Sequence, residues 1–259
     1  MKFRPCIDIH NGKVKQIVGG SLSDYKDQAK ENFVSEQNAA FYGKLYCDHQ
    51  LSGGHIILLN KEGSQYYEQD LEQAALALKS FPDGLQIGGG VNDNNAKRFL
   101  SLGATHVIVT SYVFRDGRIY YENLKKLIDI VGKEHLVLDL SCRKKDGDYY
   151  IVTDRWQRFT EVKITKELII QLTEYCDEFL IHAVDVEGKS NGIELELISI
   201  LGTIEGFPIT YAGGISSFAD LKELKRLGNN RLDVTIGSSL DLFGGNMKFQ
   251  DVIKFMSNC

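Results

Sequence analysis

Two glycine turns, half a chain apart, limit what this sequence can fold into more than any other feature. In the second, an apolar run over 207–210 leads into Tyr211-Ala-Gly-Gly-Ile-Ser216, and the residues from Ser217 open a helix. The order strand, glycine turn, helix start directs backbone N–H groups and the positive end of a helix dipole at one point, which suits a phosphate. The first copy is Gln86-Ile-Gly-Gly-Gly-Val-Asn92. Each has a sequel, Val107-Ile-Val-Thr-Ser111 and Thr235-Ile-Gly-Ser-Ser239. Gly89 and Gly213 are 124 residues apart, and Ser111 and Ser238 are 127 apart. One cradle is a weak signal. A spaced pair predicts a duplicated barrel that holds a ligand with a phosphate at each end.

The rest of the chain alternates as such a barrel requires. Short apolar strands are expected at 3–9, 55–59, 85–87, 106–109, 135–140, 179–182, 207–210 and 232–236. Helical spacing falls at 34–51, 70–81, 121–131, 165–176, 194–201, 218–227 and 249–256, and from Asn92 or Asp93 as cap to Leu102. Asn11-Gly12 marks a hairpin whose second arm is 13–18. A polar loop is expected over 19–32, and 141–163 reads as an inserted hairpin turning at Asp146-Gly147. Strands that are apolar on both faces and alternate with helices belong to parallel βα units. With 259 residues and no linker, the chain is expected to form one (β/α)8 TIM barrel over 1–259, with an internal half-barrel duplication. A doubly wound open sheet is the alternative; it usually carries one GxGxxG turn, and this sequence has none.

Charge and cysteine use narrow the function classes. The net charge is −5, which argues against a nucleic-acid or membrane-surface partner, since either needs a basic face. No apolar run approaches the ~20 residues of a membrane span. Asp8 interrupts the apolar core that a signal peptide would need, so a cytoplasmic location is expected. The five cysteines form no CxxC pair and read as idle thiols of a reducing compartment. The six histidines show no HxH or HExxH spacing, so no metal site is expected.

In a barrel, chemistry sits at the C-terminal ends of the strands. Asp8 and Asp139 fall there in matching contexts, Ile7-Asp8-Ile9 and Leu138-Asp139-Leu140, 131 residues apart. That spacing sets them on strands one and five, across the mouth from each other. The cradles take the other axis. Gly89, Gly90, Thr110 and Ser111 follow strands three and four, and Gly213, Gly214, Gly237 and Ser238 follow strands seven and eight. A ligand spanning the cradles has its middle between two carboxylates, one able to accept a proton and the other to give one. Four further residues are candidate substrate contacts. Arg143 begins a basic run that is either a solvated hairpin or an attraction for phosphate. Trp156 either packs or stacks on a flat heterocycle. His182 ends strand six, facing ligand or packing, and Asp185 follows it.

These motifs resemble one family. The run Cys6-Ile-Asp-Ile-His-Asn-Gly12 through Lys13 and Val14 to Gly20, the two glycine turns, and Leu138-Asp139 are similar to the phosphoribosylformimino-aminoimidazole carboxamide ribotide isomerases of histidine biosynthesis. The Asn191-containing loop and the Asp154-Arg-Trp156 insertion are closer to the eukaryotic-type branch. The resemblance implies a cofactor-free Amadori rearrangement of an aminoaldose bisphosphate to an aminoketose. Asp8 would be the base at C2′ of the ribose, and Asp139 the acid that helps open the ring. Three positions depart from the bacterial pattern: His182 stands in place of Thr, Gln16 in place of Arg, and Asn60 in place of Asp. A monomer is expected. The alternatives are the sister cyclase barrel of imidazole glycerol phosphate synthase, a flavin-dependent barrel, and a non-catalytic phosphate-binding barrel.

Overall fold

The computed structural model describes residues 1–18, 21, 29–154, 156–188 and 192–257. Gly19, Gly20, Arg155 and Asn191, on which the sequence reading drew, lie outside these. Eight parallel strands carry the architecture: β1 (Cys6–His10), β2 (Gly54–Leu58), β3 (Leu85–Gly88), β4 (Val107–Val109), β5 (Leu136–Asp139), β6 (Glu178–His182), β7 (Ile209–Ala212) and β8 (Leu232–Val234). Each bonds to its sequence neighbour in register, for example Asp8 opposite Ile57 and His182 opposite Ala212. At the seam, the Arg4 N–H donates to the Val234 carbonyl at 2.8 Å. The Val234 N–H donates to the Lys2 carbonyl at 2.9 Å. The last strand thus meets the segment that leads into the first, and the sheet is a (β/α)8 barrel rather than a doubly wound sheet.

A helix follows each strand: α1 (Ala39–Asp48), α2 (Tyr67–Ser80), α3 (Ala96–Ser101), α4 (Tyr121–Val131), α5 (Lys166–Leu172), α6 (Leu195–Leu201), α7 (Phe218–Leu227) and α8 (Phe249–Ser257). Their apolar residues recur at helical spacing, as with Leu71, Ala74 and Leu78 of α2 or Leu124, Leu127 and Val131 of α4, and all of these are buried. A buried leucine or valine contributes about 1.5–3 kcal/mol by leaving water. Local chemistry sets the starts of three helices, where Asn38, Thr165 and Ser217 accept from backbone N–H groups of the first turn. No described helix is long and apolar enough to cross a membrane.

The barrel interior is layered. At its N-terminal end, Glu178 accepts from Arg4, Gln86 and Thr210, and Arg4 also pairs with Asp233. Above that polar plug, Ile108, Val137, Leu180 and Ala212 form a small apolar cluster separate from the strand–helix core. Above the apolar layer, at the C-terminal mouth, the interior becomes polar again.

Three expectations are corrected. Residues Glu31–Val34, where the loop over 19–32 was expected to give way to helical spacing from Val34, form a strand that extends the β1 hairpin, pairing antiparallel with Lys13–Ile17, and the helix begins only at Ala39. Three of its four residues are exposed, so it has no inward alternation to reveal it. The insertion after β5 is a three-stranded antiparallel sheet, Cys142–Lys145, Asp148–Thr153 and Arg158–Lys163, with the expected turn at Asp146-Gly147. Asn92 does not cap α3. Its side chain accepts from the Asn94 N–H at 2.8 Å in a tight turn, and the helix begins later, at Ala96.

Candidate active site

The two glycine turns share the same pair of positive φ angles. Gly89 and Gly90 have φ of 107° and 66°, and Gly213 and Gly214 have 117° and 75°. Those values favour glycine, and space demands it as well. A Cβ on Gly89 would sit 2.2 Å from the Leu58 carbonyl oxygen, and one on Gly213 would sit 2.7 Å from that of Ala183. At α7 the helix start closes partly on itself. The Asp220 carboxylate accepts from the N–H and hydroxyl of Ser216, and the Asp220 N–H donates to Ser217. Gly213, Gly214, Gly237 and Ser238 line one cavity at the mouth. Gly89, Gly90, Thr110 and Ser111 line a second of about 430 Å³. Small-molecule sites commonly hold about 300–1,000 Å³. Asp8, His182 and Glu187 line both cavities, so the two form one groove with these side chains at its middle.

Asp8 projects from β1 into that middle. Burial pushes its carboxyl up to about 7, and the charge of Glu187 acts in the same direction, while His182 and the Gln16 amide oppose. A carboxylate titrating there is half ionised at neutral pH and suited to taking a proton. Asp139, across the mouth, is built differently. It accepts from the hydroxyls of Thr110 at 3.1 Å and Ser141 at 2.8 Å, and His182 Nδ1 lies 3.3 Å from its Oδ1. Burial works against a charged His182. The Asp139 charge and hydrogen bond, aided by Glu187 and Asp8, nevertheless carry it up to about 9. At neutral pH His182 therefore carries a proton on both ring nitrogens, beside Asp139 at the groove's centre. His55, edge-on to His182 with ring centroids 6.2 Å apart, is pushed down to about 3 by burial and the neighbouring charge, and stays neutral.

Trp156 of the insertion faces the same cavity as Asp139. Its indole N–H donates to the Ser141 hydroxyl at 3.0 Å, and its ring lies 6.0 Å from that of His182. Arg143 and Asp185 lie elsewhere. They pair with each other at 2.8 Å, Asp185 also accepts the Lys144 N–H, and neither lines either of these two cavities. The residue missed after β6 is Glu187. Two tight turns, Val186 N–H to the Ala183 carbonyl and Glu187 N–H to the Val184 carbonyl, send Asp185 toward the insertion and Glu187 into the groove. Its carboxylate lies against Gly213, 3.3 Å from where a Cβ would be, and burial raises its pKa. Its one sequence signal was being the second carboxylate of the same turn. Cys6, below Asp8, is held as a neutral thiol by burial.

Fold and site together define a class: a (β/α)8 barrel with two opposed glycine turns and carboxyl groups lining the groove between them. The histidine biosynthesis protein family model matches residues 2–247. The chain is 50% identical over 258 residues, 98% of its length and 81% of the relative's, to a Medicago truncatula protein. That protein is named as a chloroplastic 1-(5-phosphoribosyl)-5-((5-phosphoribosylamino)methylideneamino) imidazole-4-carboxamide isomerase. Isomerases of the same name from Yarrowia lipolytica and Saccharomyces cerevisiae are 45% and 42% identical, each over 98% of this chain and 97% of theirs. The chain belongs to the histidine biosynthesis protein family.

Proposed function

We propose that the chain is an aldose–ketose isomerase acting on phosphoribosylformimino-aminoimidazole carboxamide ribotide by general acid–base catalysis. The observation that carries the reading is the single groove, with a glycine cradle at each end and Asp8, Asp139, His182 and Glu187 between them. Each cradle takes one terminal phosphate of the substrate. The proton held by the Asp139–His182 pair passes to the ribose ring oxygen as the C1′–O bond breaks, and the nitrogen lone pair forms the C1′=N bond of a Schiff base. Asp8 then removes the C2′ proton. The freed electron pair forms C1′=C2′, and the C=N electrons return to nitrogen. Loss of the hydroxyl proton at C2′ and gain of a proton at C1′ give the aminoketose. Trp156 offers a flat wall to the heterocycle in the larger cavity. Both cradles and both aspartates come from one chain, so we infer that a monomer suffices.

The test is Asp8→Asn and Asp139→Asn, each checked for folding by circular dichroism, with isomerisation of the ribotide followed spectroscopically. Turnover falls by about 10²–10⁴-fold in each. Wild-type turnover in either folded variant overturns the assignment.

A further inference from the structure

Gln16 is buried, 3% exposed, on the hairpin arm Lys13–Ile17. Its amide nitrogen donates to Asp8 Oδ2 at 3.1 Å and lies 3.7 Å from Cys6 Sγ. Its amide oxygen points the other way, toward the loop after β8. A Cβ built on Gly237 would lie 2.3 Å from that oxygen. One amide thus fills the space between the reactive carboxyl of β1 and the backbone of the cradle loop. This assigns the two ends of the amide on chemical grounds, because an ionised carboxylate only accepts.

The backbone around Gln16 is built to aim it. The ladder shifts register between Gln16 and Ile17, so that Asn32 is the extra residue of the outer strand. Such bulges re-aim side chains beside active sites. The Asn32 side chain in turn donates to the Gly188 carbonyl at 3.2 Å, next to Glu187. The hairpin is therefore fixed at both sides of the groove, to Asp8 by Gln16 and to the loop after β6 by Asn32.

We propose that Gln16 is a positioning residue for Asp8. It holds Oδ2 so that Oδ1 is left to take the substrate's proton, and it couples that orientation to the cradle loop at Gly237. Position 237 is glycine because the Gln16 amide occupies the volume a side chain would need. This rests on Asp8 being the base. It adds a prediction that the base assignment alone does not make: a change in the cradle at Gly237 acts on the proton transfer, not only on phosphate binding.

The experiment compares Gln16→Leu and Gln16→Met, both of which lose the donor and one of which keeps the chain length, with Gly237→Ala and with Asp8→Asn. Removing the donor lowers kcat by about tenfold to a hundredfold through misplacement of the base. KM stays within about twofold of wild type, since Gln16 holds the base rather than the phosphates. The acid limb of kcat/KM moves to higher pH, because the carboxylate has lost a hydrogen bond that favours its charged form. Gly237→Ala reproduces the kcat loss, and shortening the neighbour in Gln16→Ser/Gly237→Ala adds no further loss. If Asp8→Asn is inactive while a folded Gln16→Leu or Gln16→Met keeps wild-type kcat and acid limb, Gln16 has no positioning role. If Asp8→Asn itself retains wild-type turnover, the base assignment fails and this proposal with it.

Discussion

His182 Nδ1 lies 3.3 Å from Asp139 Oδ1, and each side chain is nearly closed to solvent, 12% and 11% exposed. The pair has a stability signature. The His182 pKa is raised to about 9 from its ordinary 6.5. A raised histidine pKa means the folded state binds the proton more tightly than the unfolded chain does. The contribution is fully present below about pH 6.5 and is lost as pH rises through about 9. At about 1.4 kcal/mol per pKa unit, the difference amounts to a few kcal/mol at most. Urea unfolding of wild type and His182→Phe across pH 6 to 10 checks this. The gap between them narrows over that window, and a constant gap would remove the ion pair from the account.

Asp8 has the opposite balance. Its folded pKa of about 7 lies above the ordinary 3.8, so folding favours its protonated form. Above pH 7 the charge is present and partly withdrawn from water, and it costs stability relative to the unfolded chain; below about pH 3.8 it costs nothing. Asp8→Asn therefore raises the unfolding midpoint at pH 8 while lowering turnover, and the gain shrinks to zero as pH falls toward 4. This trade between activity and stability is characteristic of groups held in place for chemistry. Thermal unfolding at pH 4, 6 and 8 reads it directly. An unchanged or lower midpoint at pH 8 counts against the desolvated charge.

What the chain revealed before folding, and what it did not, divides along physical lines. The glycine turns and the strand-end placing of Asp8 and Asp139 were legible because each is a local pattern that occurs twice. Glycines at positive φ and carboxyls at strand ends carry their meaning in a few adjacent residues. Glu187 and Asp185 are two residues apart in one turn, and nothing local says which faces the groove. Arg143 and the Lys144 N–H, from the insertion, draw Asp185 outward. Gln16 was noticed only as a departure from a pattern, since its importance lies in contacts to Asp8 and Gly237, the latter more than two hundred residues away. The strand Glu31–Val34 was invisible because a mostly exposed edge needs no apolar alternation.

The glycine turns separate strain from space. Gly90 has φ of 66° with no atom within 4 Å of an added Cβ, so Gly90→Ala pays only for the left-handed backbone, more than about 1 kcal/mol. Gly213→Ala carries that cost and also drives a methyl to 2.7 Å from the Ala183 carbonyl oxygen and 3.3 Å from Glu187 Oε2. It is the more destabilising of the two in urea, and it displaces Glu187. KM for the bisphosphate rises in both. If Gly90→Ala proves the more destabilising, the packing around the second cradle is misread.

Glu187 supplies the sharpest test of how the groove tunes Asp8, the proposed base. The charge of Glu187 is the second cause, after burial, that raises Asp8, while His182 holds both carboxyls down. Glu187→Gln keeps the shape and removes the charge. Asp8 then ionises more readily, and the acid limb of kcat/KM moves to lower pH by up to about one unit. Glu187 also helps to raise His182, so in the same variant the imidazole titrates lower, which an NMR titration of the ring protons follows independently. Activity at pH 6 relative to pH 8 increases even where absolute turnover falls, because more of the base is ionised at the lower pH. The direction is opposite to that expected for Gln16→Leu, which moves the limb upward. The two variants thus bracket Asp8 from its two neighbours, and an acid limb that does not move in Glu187→Gln would mean that Glu187 and Asp8 do not share a field.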